Sequence, residues 1–246
     1  MCKFFSLTSD GRGNIAYFDN AIRKKIRSGE LSYNADSHTS INDFYGWKGV
    51  DEDSRNKYEY NPLTKVFTID MINGLDDSKV VKKKVKALDF SLIVPELIIK
   101  PIINPFKIVS QPLTSRNKSD LKKWASVWAS VRASVGDSVG YSVRARDSVR
   151  DSVGDSVGDS VRDSVWDSVW DSVGYSVWDS VGYSVWDSVW DSVWAYTSSF
   201  FDIKHEHDFS SCVRLWEAGF VPVFYDSTWK LFAGNPAKVV YTMKCN

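Results

Sequence analysis

A four-residue repeat constrains this chain more than any other feature of its sequence. Within residues 124–196, valine recurs at every fourth position in 17 tetrads, and serine directly precedes each of these valines. The unit is clearest at residues 163–170, which read Asp-Ser-Val-Trp twice. One six-residue step, from Val143 to Val149, interrupts the register. A repeat of this kind decides the fold of its segment and is therefore interpreted first.

The period of four argues against one long helix. Four residues turn an α-helix by about 400°, so the valine stripe drifts by about 40° per tetrad and circles the axis after about nine tetrads. Serine, valine and aspartate each cost roughly 0.5–0.7 kcal/mol relative to alanine in a helix, and glycine costs more. A single strand is excluded as well, because strands usually run about 3–10 residues.

Regular turns in a repeating strand predict a β-solenoid in which each tetrad forms one short side and valine points inward. Three tetrads per coil are favoured over four, because three valines fill a small core without voids. The tryptophans after the valines are expected to form stacked columns. The alternative is a disordered low-complexity tract.

The whole chain is predicted to be mainly β. We expect a small basic α+β module over residues 1–110, a linker over 111–123, the solenoid over 124–196 and a short β-rich cap over 197–246. A proline-punctuated apolar stretch at 93–106 is predicted to form a lead-in coil that caps the solenoid.

Local signals predict the elements of the two flanking parts. Residues 3–18 read as a hairpin around a glycine-rich turn, and residues 58–69 as a second hairpin that turns at Asn61-Pro62. A basic helix is predicted from Asn20 to Ser28 with Asp19 or Asn20 as its cap. The remaining predicted elements are a lysine-rich helix at 76–88, a helical turn at 213–218 and short strands at 221–224, 229–232 and 239–241.

The sequence resembles a family of uncharacterised tetrapeptide-repeat proteins from gut bacteria and their phages. The resemblance is carried by the Asp-Ser-Val-Trp tetrads, the lead-in Val-Pro-Glu-Leu-Ile-Ile-Lys-Pro at 94–101 and the tail Leu-Trp-Glu-Ala-Gly-Phe-Val-Pro at 215–222 with Trp229. It implies a phage or bacterial origin and no established activity. The chain is more loosely similar to pentapeptide-repeat β-helix proteins, from which its four-residue unit departs.

Charge is balanced over the chain but not along it. The 31 basic and 31 acidic residues cancel, which argues against a nucleic-acid coat. Residues 1–123 hold 21 basic and 15 acidic residues, a net charge of +6, whereas residues 124–196 hold 5 and 11, a net charge of −6. The basic head and the acidic repeats are therefore expected to support self-association. The predicted partner is a protein, with no membrane contact.

The three cysteines are too few and too scattered for a disulfide framework. No signal peptide or membrane span is recognised, so the expected compartment is the cytoplasm, or the host cytoplasm for a phage protein. No nucleotide fingerprint is present, because the glycines at 11 and 13 belong to the first hairpin turn. We therefore expect no cofactor.

Candidate functional residues are of two kinds. The aromatic positions of the later tetrads are predicted to form a binding surface, or to pack on one another: Trp166, Trp170, Trp178, Trp186, Trp190 and Trp194. His38, next to hydroxyl and carboxylate residues at 36–40, is the best general-base candidate. His205 and His207 lie in a short polar cluster that no second cluster completes, so no metal site is predicted.

Two functions follow from these observations. The first is a non-enzymatic repeat protein that acts as a binding or spacer scaffold for a protein partner. The second is a hydrolase or transferase activity in the amino-terminal module with His38 in the site.

Overall fold

The computed structural model describes residues 5–46, 54–109, 112–134, 149–153, 159–174, 177 and 186–244. The fold is α+β, 45% helical and 20% strand, with two small antiparallel sheets. The predicted mainly β class and the predicted β-solenoid are therefore wrong. Within the described residues, tetrads lie in the helices α5 (Ser115–Ser134), α6 (Asp159–Val169) and α7 (Trp186–Ser198).

Interruption of the helices explains why the period of four fits helical structure. From Val161 to Val169 the valine stripe drifts by only about 80°, which stays within an apolar face about 100° wide. A π-helical turn at Trp170–Gly174 then follows α6. Because such a turn holds more residues than an α-helical turn, it rotates the stripe back. The π-helical turn therefore cancels part of the rotation of the valine stripe that excludes one long helix.

Burial of the tetrad valines offsets their poor helix propensity. Most helical stability in proteins comes from packing of an apolar face and not from intrinsic propensity. Ten tetrad valines in the described stretches are at most 2% exposed: Val131, Val149, Val153, Val161, Val165, Val169, Val173, Val177, Val189 and Val193.

The chain divides into two compact units. Unit 1 comprises Met1–Lys100 with Gly154–Val165, and unit 2 comprises Pro101–Val153 with Trp166–Asn246. These limits differ from the predicted domain limits, and α5 begins within the predicted linker 111–123.

The elements of unit 1 are β1 (Phe5–Ser9), β2 (Ile15–Ala16), α1 (Asn20–Arg27), α2 (His38–Phe44), β3 (Asn56–Asn61), β4 (Val66–Met71), α3 (Ser78–Lys86) and α4 (Phe90–Ile93). The strands form a four-stranded antiparallel sheet of order β2-β1-β3-β4. Both predicted hairpins are confirmed, because β1 pairs with β2 and β3 pairs with β4. The predicted helix cap at Asp19 is confirmed too, since its side chain accepts a hydrogen bond from the Ile22 amide.

A buried carboxylate connects α3 to this sheet. Asp77 precedes α3 but its carboxylate is directed into the unit, where it accepts hydrogen bonds from Ser9 Oγ, Asn56 Nδ2, Tyr58 Oη and the Gly13 amide at 2.6–2.9 Å. Burial raises the pKa of Asp77, but the four hydrogen bonds outweigh it and hold this pKa below its ordinary value. The charged form is therefore the one that stabilises unit 1.

We expect Asp77→Asn to remove part of the acid sensitivity of unit 1. A carboxylate with a lowered folded-state pKa contributes stability above the unfolded pKa of about 3.9 and loses it as pH falls through the folded value. Unit 1 should thus lose stability below about pH 4 in the wild type, and less steeply in the variant. Hydrogen exchange of the β3 amides as a function of pH measures this. Asp43→Asn, at an exposed aspartate of α2, is the control, and an unchanged slope in Asp77→Asn would refute the assignment.

The elements at the end of unit 2 are α8 (Ser210–Glu217), β5 (Val221–Tyr225), β6 (Thr228–Ala233) and β7 (Lys238–Lys244). The three strands form an antiparallel sheet of order β5-β6-β7. The strands predicted at 221–224, 229–232 and 239–241 and the helical turn predicted at 213–218 are confirmed in slightly longer form. They do not cap a solenoid as predicted, and instead pack with α5 and α7.

The prediction that residues 93–106 form a lead-in coil is wrong as well, because the described tetrads are helical and form no solenoid that such a coil could cap. Its end forms a 3₁₀ turn at Pro105–Lys107, with Pro105 and Phe106 buried. Ile103 of this stretch is held in unit 2 by two hydrogen bonds. Its amide donates to Tyr196 Oη, and its carbonyl accepts from Trp216 Nε1, each at 2.9 Å.

Tetrad serines cover the outer edge of the second sheet. Ser188 and Ser192 of α7 donate through Oγ to the carbonyl oxygens of Phe224 and Pro222, at 3.2 Å and 2.8 Å. Four residues of helix rise about 6.0 Å, and two residues of strand rise about 6.6 Å. The tetrad period of the helix therefore matches the two-residue period of β5, so successive tetrads meet successive outward carbonyls.

Candidate functional site

Tryptophans of α6, the π-helical turn and α7 form one cluster of stacked indoles. Trp166 stacks on Trp194 with ring centroids 4.1 Å apart and planes at 6°. It also stacks on Trp190 at 4.9 Å and on Trp170 at 5.5 Å. Trp170 and Trp190 stack on each other at 4.9 Å. We call these four residues the indole cluster.

The tetrad period builds this cluster. Residues four apart lie on the same face of a helix, so Trp166 and Trp170 project together, as do Trp190 and Trp194. Parallel, closely spaced rings of this kind contribute about 0.5–1.5 kcal/mol per pair beyond their buried area. The cluster therefore holds its two helical segments together, as the packing alternative predicts.

The indole cluster also reaches the surface. Trp194 is buried, whereas Trp166, Trp170 and Trp190 are only half-buried. Asp167 and Asp171 each follow one of these tryptophans in sequence and are exposed. The same helical segment therefore exposes carboxylates as well as part of its indoles.

Four of the six predicted binding tryptophans are thereby brought together. Trp178 lies outside the described residues. Trp186 begins α7, and its side chain is not among those described. That the tryptophans bind a partner remains a prediction.

Comparison with protein-family models, with curated proteins and with solved structures gave no match. The resemblance to tetrapeptide-repeat proteins therefore remains a prediction. The function must be argued from the indole cluster and from the other chemical groups of the chain.

His38, the general-base candidate, begins α2 in unit 1 and is 7% exposed. Its Nε2 lies 3.0 Å from the carbonyl oxygen of Tyr58. A carbonyl oxygen only accepts, so Nε2 carries the proton and Nδ1 is left facing Asp70 Oδ2 at 3.7 Å. The sequence neighbour Asp36 points elsewhere, to Arg23. The adjacency in sequence at 36–40 therefore does not produce a catalytic grouping, but a His-Asp pair that the sequence did not indicate is present.

His205 lies in unit 2 beside a tetrad serine. Its Nδ1 is 3.0 Å from Ser152 Oγ, and burial lowers the pKa of the imidazole, which therefore favours the neutral form. The rings of His205 and His207 both pack against Phe209. Among the described residues no group of three or more potential ligands could hold a metal ion.

Two further polar contacts in unit 2 were not predicted. Trp128 Nε1 donates to Asp191 Oδ2 at 2.7 Å, which connects the first tetrads to the last. Arg214 of α8 binds Asp120 of α5, with Nη2 2.7 Å from Oδ1. Asp167, Asp171 and Asp191 all stand in the sequence Trp-Asp-Ser-Val, so only the three-dimensional packing distinguishes the buried Asp191 from the other two, which are exposed.

Cys212 is a buried free thiol. Burial raises its pKa, so it stays protonated and is a poor nucleophile. Across the described ranges, no helix is both long enough and apolar enough to cross a membrane.

Proposed function

We propose that this chain is a non-enzymatic scaffold protein that binds a protein partner through the indole cluster, and that the contacting segment of the partner carries arginine or lysine. One observation supports this most strongly. Three half-buried indoles are gathered on two helical segments, and the segment that carries Trp166 and Trp170 also exposes Asp167 and Asp171.

The chemistry of this surface suits a basic protein segment. Tryptophan is enriched among the residues that dominate binding energy at protein interfaces. A cation against an indole contributes about 0.5–2 kcal/mol, and neighbouring carboxylates add electrostatic steering. The tetrad region as a whole carries a net charge of −6, from 5 arginines and 11 aspartates, which extends the same preference.

Binding of labelled peptides to the full chain tests the proposal. Fluorescence anisotropy would compare a fluorescein-labelled oligoarginine with an oligoglutamate of equal length at physiological salt. We expect binding of the oligoarginine only. Asp171→Asn and Trp170→Leu should each weaken it by roughly 3- to 10-fold, since about 0.6–1.4 kcal/mol is lost.

Asp202→Asn is the matched control, because Asp202 is an exposed aspartate of unit 2 outside the indole cluster. Circular dichroism of each variant confirms that it is folded. Equal affinity of the wild type and both cluster variants, or no binding of the oligoarginine, would contradict the proposal.

The second candidate function is a hydrolase or transferase activity in unit 1, favoured by the His38–Asp70 pair. The side chain of Asp70 is 51% exposed and that of His38 is 8% exposed, so the pair meets solvent on the side of the carboxylate. Chromogenic ester and phosphoester substrates test it with the full chain. Turnover that is lost in His38→Ala and reduced in Asp70→Asn would support this function. Absence of turnover in the wild type, or turnover unchanged in both variants, would contradict it.

A further inference from the structure

A row of lysines covers the exposed face of α3 in unit 1. Val81 and Val85 lie on the opposite face of this helix, and both are completely buried. The exposed face carries lysines at the spacing i, i+3, i+4 and i+7, which places them on one side of a helix. We call these four residues the lysine stripe: Lys79, Lys82, Lys83 and Lys86. α3 contains no acidic residue.

The lysine stripe differs from the basic helix α1 in having no carboxylate partners. Three cations of α1 form ion pairs, namely Arg23 with Asp36, Lys25 with Glu30 and Arg27 with Glu96. Within the part of the chain that the structure describes, none of the four stripe lysines forms an ion pair, and Lys82 lies 5.9 Å from the ring centroid of Phe67. Like charges at these spacings repel each other on a helix, so contact with a negatively charged surface stabilises α3.

The tetrads carry a row of aspartates with a matching period. Between residues 151 and 171 an aspartate stands at every fourth position. Asp167 and Asp171, which belong to a helical segment of the indole cluster, are exposed. Four residues of helix rise about 6.0 Å, so these two aspartates are spaced like Lys79 and Lys83 of the stripe. A lysine row and an aspartate row of equal period can pair along their lengths.

We propose that the lysine stripe of one copy of this chain binds Asp167 and Asp171 of a second copy. This inference rests on the proposed function, because it identifies the basic segment of the protein partner as α3 of another copy. The net charge of −6 over residues 124–196 favours a cationic partner, and the stripe supplies four positive charges on one helix face. The contact is electrostatic and exposed, so the complex is reversible and sensitive to salt.

Other negatively charged partners fit the lysine stripe less well. An amphipathic helix binds a membrane by inserting its apolar face, but the apolar face of α3 is already buried in unit 1. Nucleic acid attracts a protein through an excess of positive charge, and this chain has no net charge. A second copy needs no such excess, because each copy supplies one basic and one acidic surface.

Sedimentation velocity of the full chain over a range of concentrations tests the association. We expect reversible association at roughly 10 mM salt and none at about 1 M, where the Debye length has fallen from about 30 Å to about 3 Å. The double variant Lys79→Glu/Lys83→Glu reverses two charges of the stripe and should weaken the association by at least about tenfold. Lys24→Glu/Lys25→Glu is the matched control, because it changes the net charge equally at two exposed lysines of α1.

A charge exchange between two chains tests the pairing itself. Asp167→Lys/Asp171→Lys should abolish self-association as well, since it opposes like charges. An equimolar mixture of this variant with Lys79→Glu/Lys83→Glu should associate again, because the glutamates of one chain then meet the lysines of the other. Circular dichroism of each variant confirms that it is folded.

Three results would overturn the inference: a wild type that is monomeric at every concentration, a double variant of either surface that associates like the wild type, or a mixture that stays monomeric although the wild type associates. Oligoarginine binding by a monomeric wild type would overturn this inference and leave the proposed function standing. Restored association in the mixture without oligoarginine binding would support the contact and contradict the proposed function. A monomeric chain whose stripe binds duplex DNA or anionic vesicles would have a different partner, and the inference would be wrong.

Discussion

Replacing Arg23 by methionine is expected to lower the free energy of unfolding of unit 1 by about 3–5 kcal/mol, because it leaves a buried carboxylate without its cation. The Arg23 and Asp36 side chains are 2% and 1% exposed, and Nη2 lies 2.5 Å from Oδ1. Arg23 Nε also donates to the Phe18 carbonyl at 3.0 Å, and the guanidinium lies 5.6 Å from the ring centroid of Phe5. The arginine thus connects α1, the loop before α2 and the sheet.

Hydrogen exchange of the β1 and β3 amides in increasing denaturant measures this loss. Tryptophan fluorescence does not serve here, because all the tryptophans except Trp47 belong to unit 2. Lys25→Met on the same helix is the control. Its ion pair with Glu30 is 53% and 59% exposed, and such pairs contribute about 0–1 kcal/mol. Similar losses in both variants would show that the buried pair has no special role.

The second large effect is expected in unit 2. Trp216→Ala should lower its free energy of unfolding by about 3–5 kcal/mol, through lost apolar burial and the cavity left behind. Trp216 is completely buried and stacks on Tyr196, with centroids 5.0 Å apart and planes at 14°. Its indole hydrogen bond to Ile103 is lost as well.

Urea denaturation followed by tryptophan fluorescence measures this change, since ten of the 11 tryptophans lie in unit 2. Trp216→Phe is the matched variant. It keeps an aromatic ring against Tyr196 and loses the hydrogen bond, so its loss should be clearly smaller. A change within about 1 kcal/mol for Trp216→Ala would contradict the packing described for this core.

Elements with local signals could be predicted from the sequence. The hairpin turn after β1, the turn at Asn61-Pro62 and the cap at Asp19 depend on residues within a few positions of one another. The Asn61 side chain, for example, accepts hydrogen bonds from the amides of Leu63 and Thr64 inside the turn itself. Such interactions form wherever the segment lies in the fold, so sequence alone indicates them.

The tetrads could not be assigned in this way because their conformation depends on interruption and packing. A drift of about 40° per tetrad excludes a continuous helix but permits segments of two or three tetrads. The contacts that fix those segments, such as Ser192 with Pro222 and Trp128 with Asp191, join residues 30 and 63 positions apart.

The candidate site was predicted in part. The list of tryptophans was available from the repeat, and four of them stack together, but which ring meets which depends on how α6 and α7 pack. The polar groups around Asp77 and the contact of Ser152 with His205 join distant segments. No local spacing indicates such contacts.

The central claim is that the tetrads fold as short helices joined by stacked indoles. Carbon-13 labelling of valine in the full chain tests it most directly, because valine marks every tetrad. We predict helical, downfield Cα shifts for Val161, Val165, Val169, Val189 and Val193, alongside upfield strand shifts for Val221 and Val223 of β5 as an internal reference. Upfield strand shifts at the tetrad valines would contradict the helical account and restore an extended repeat.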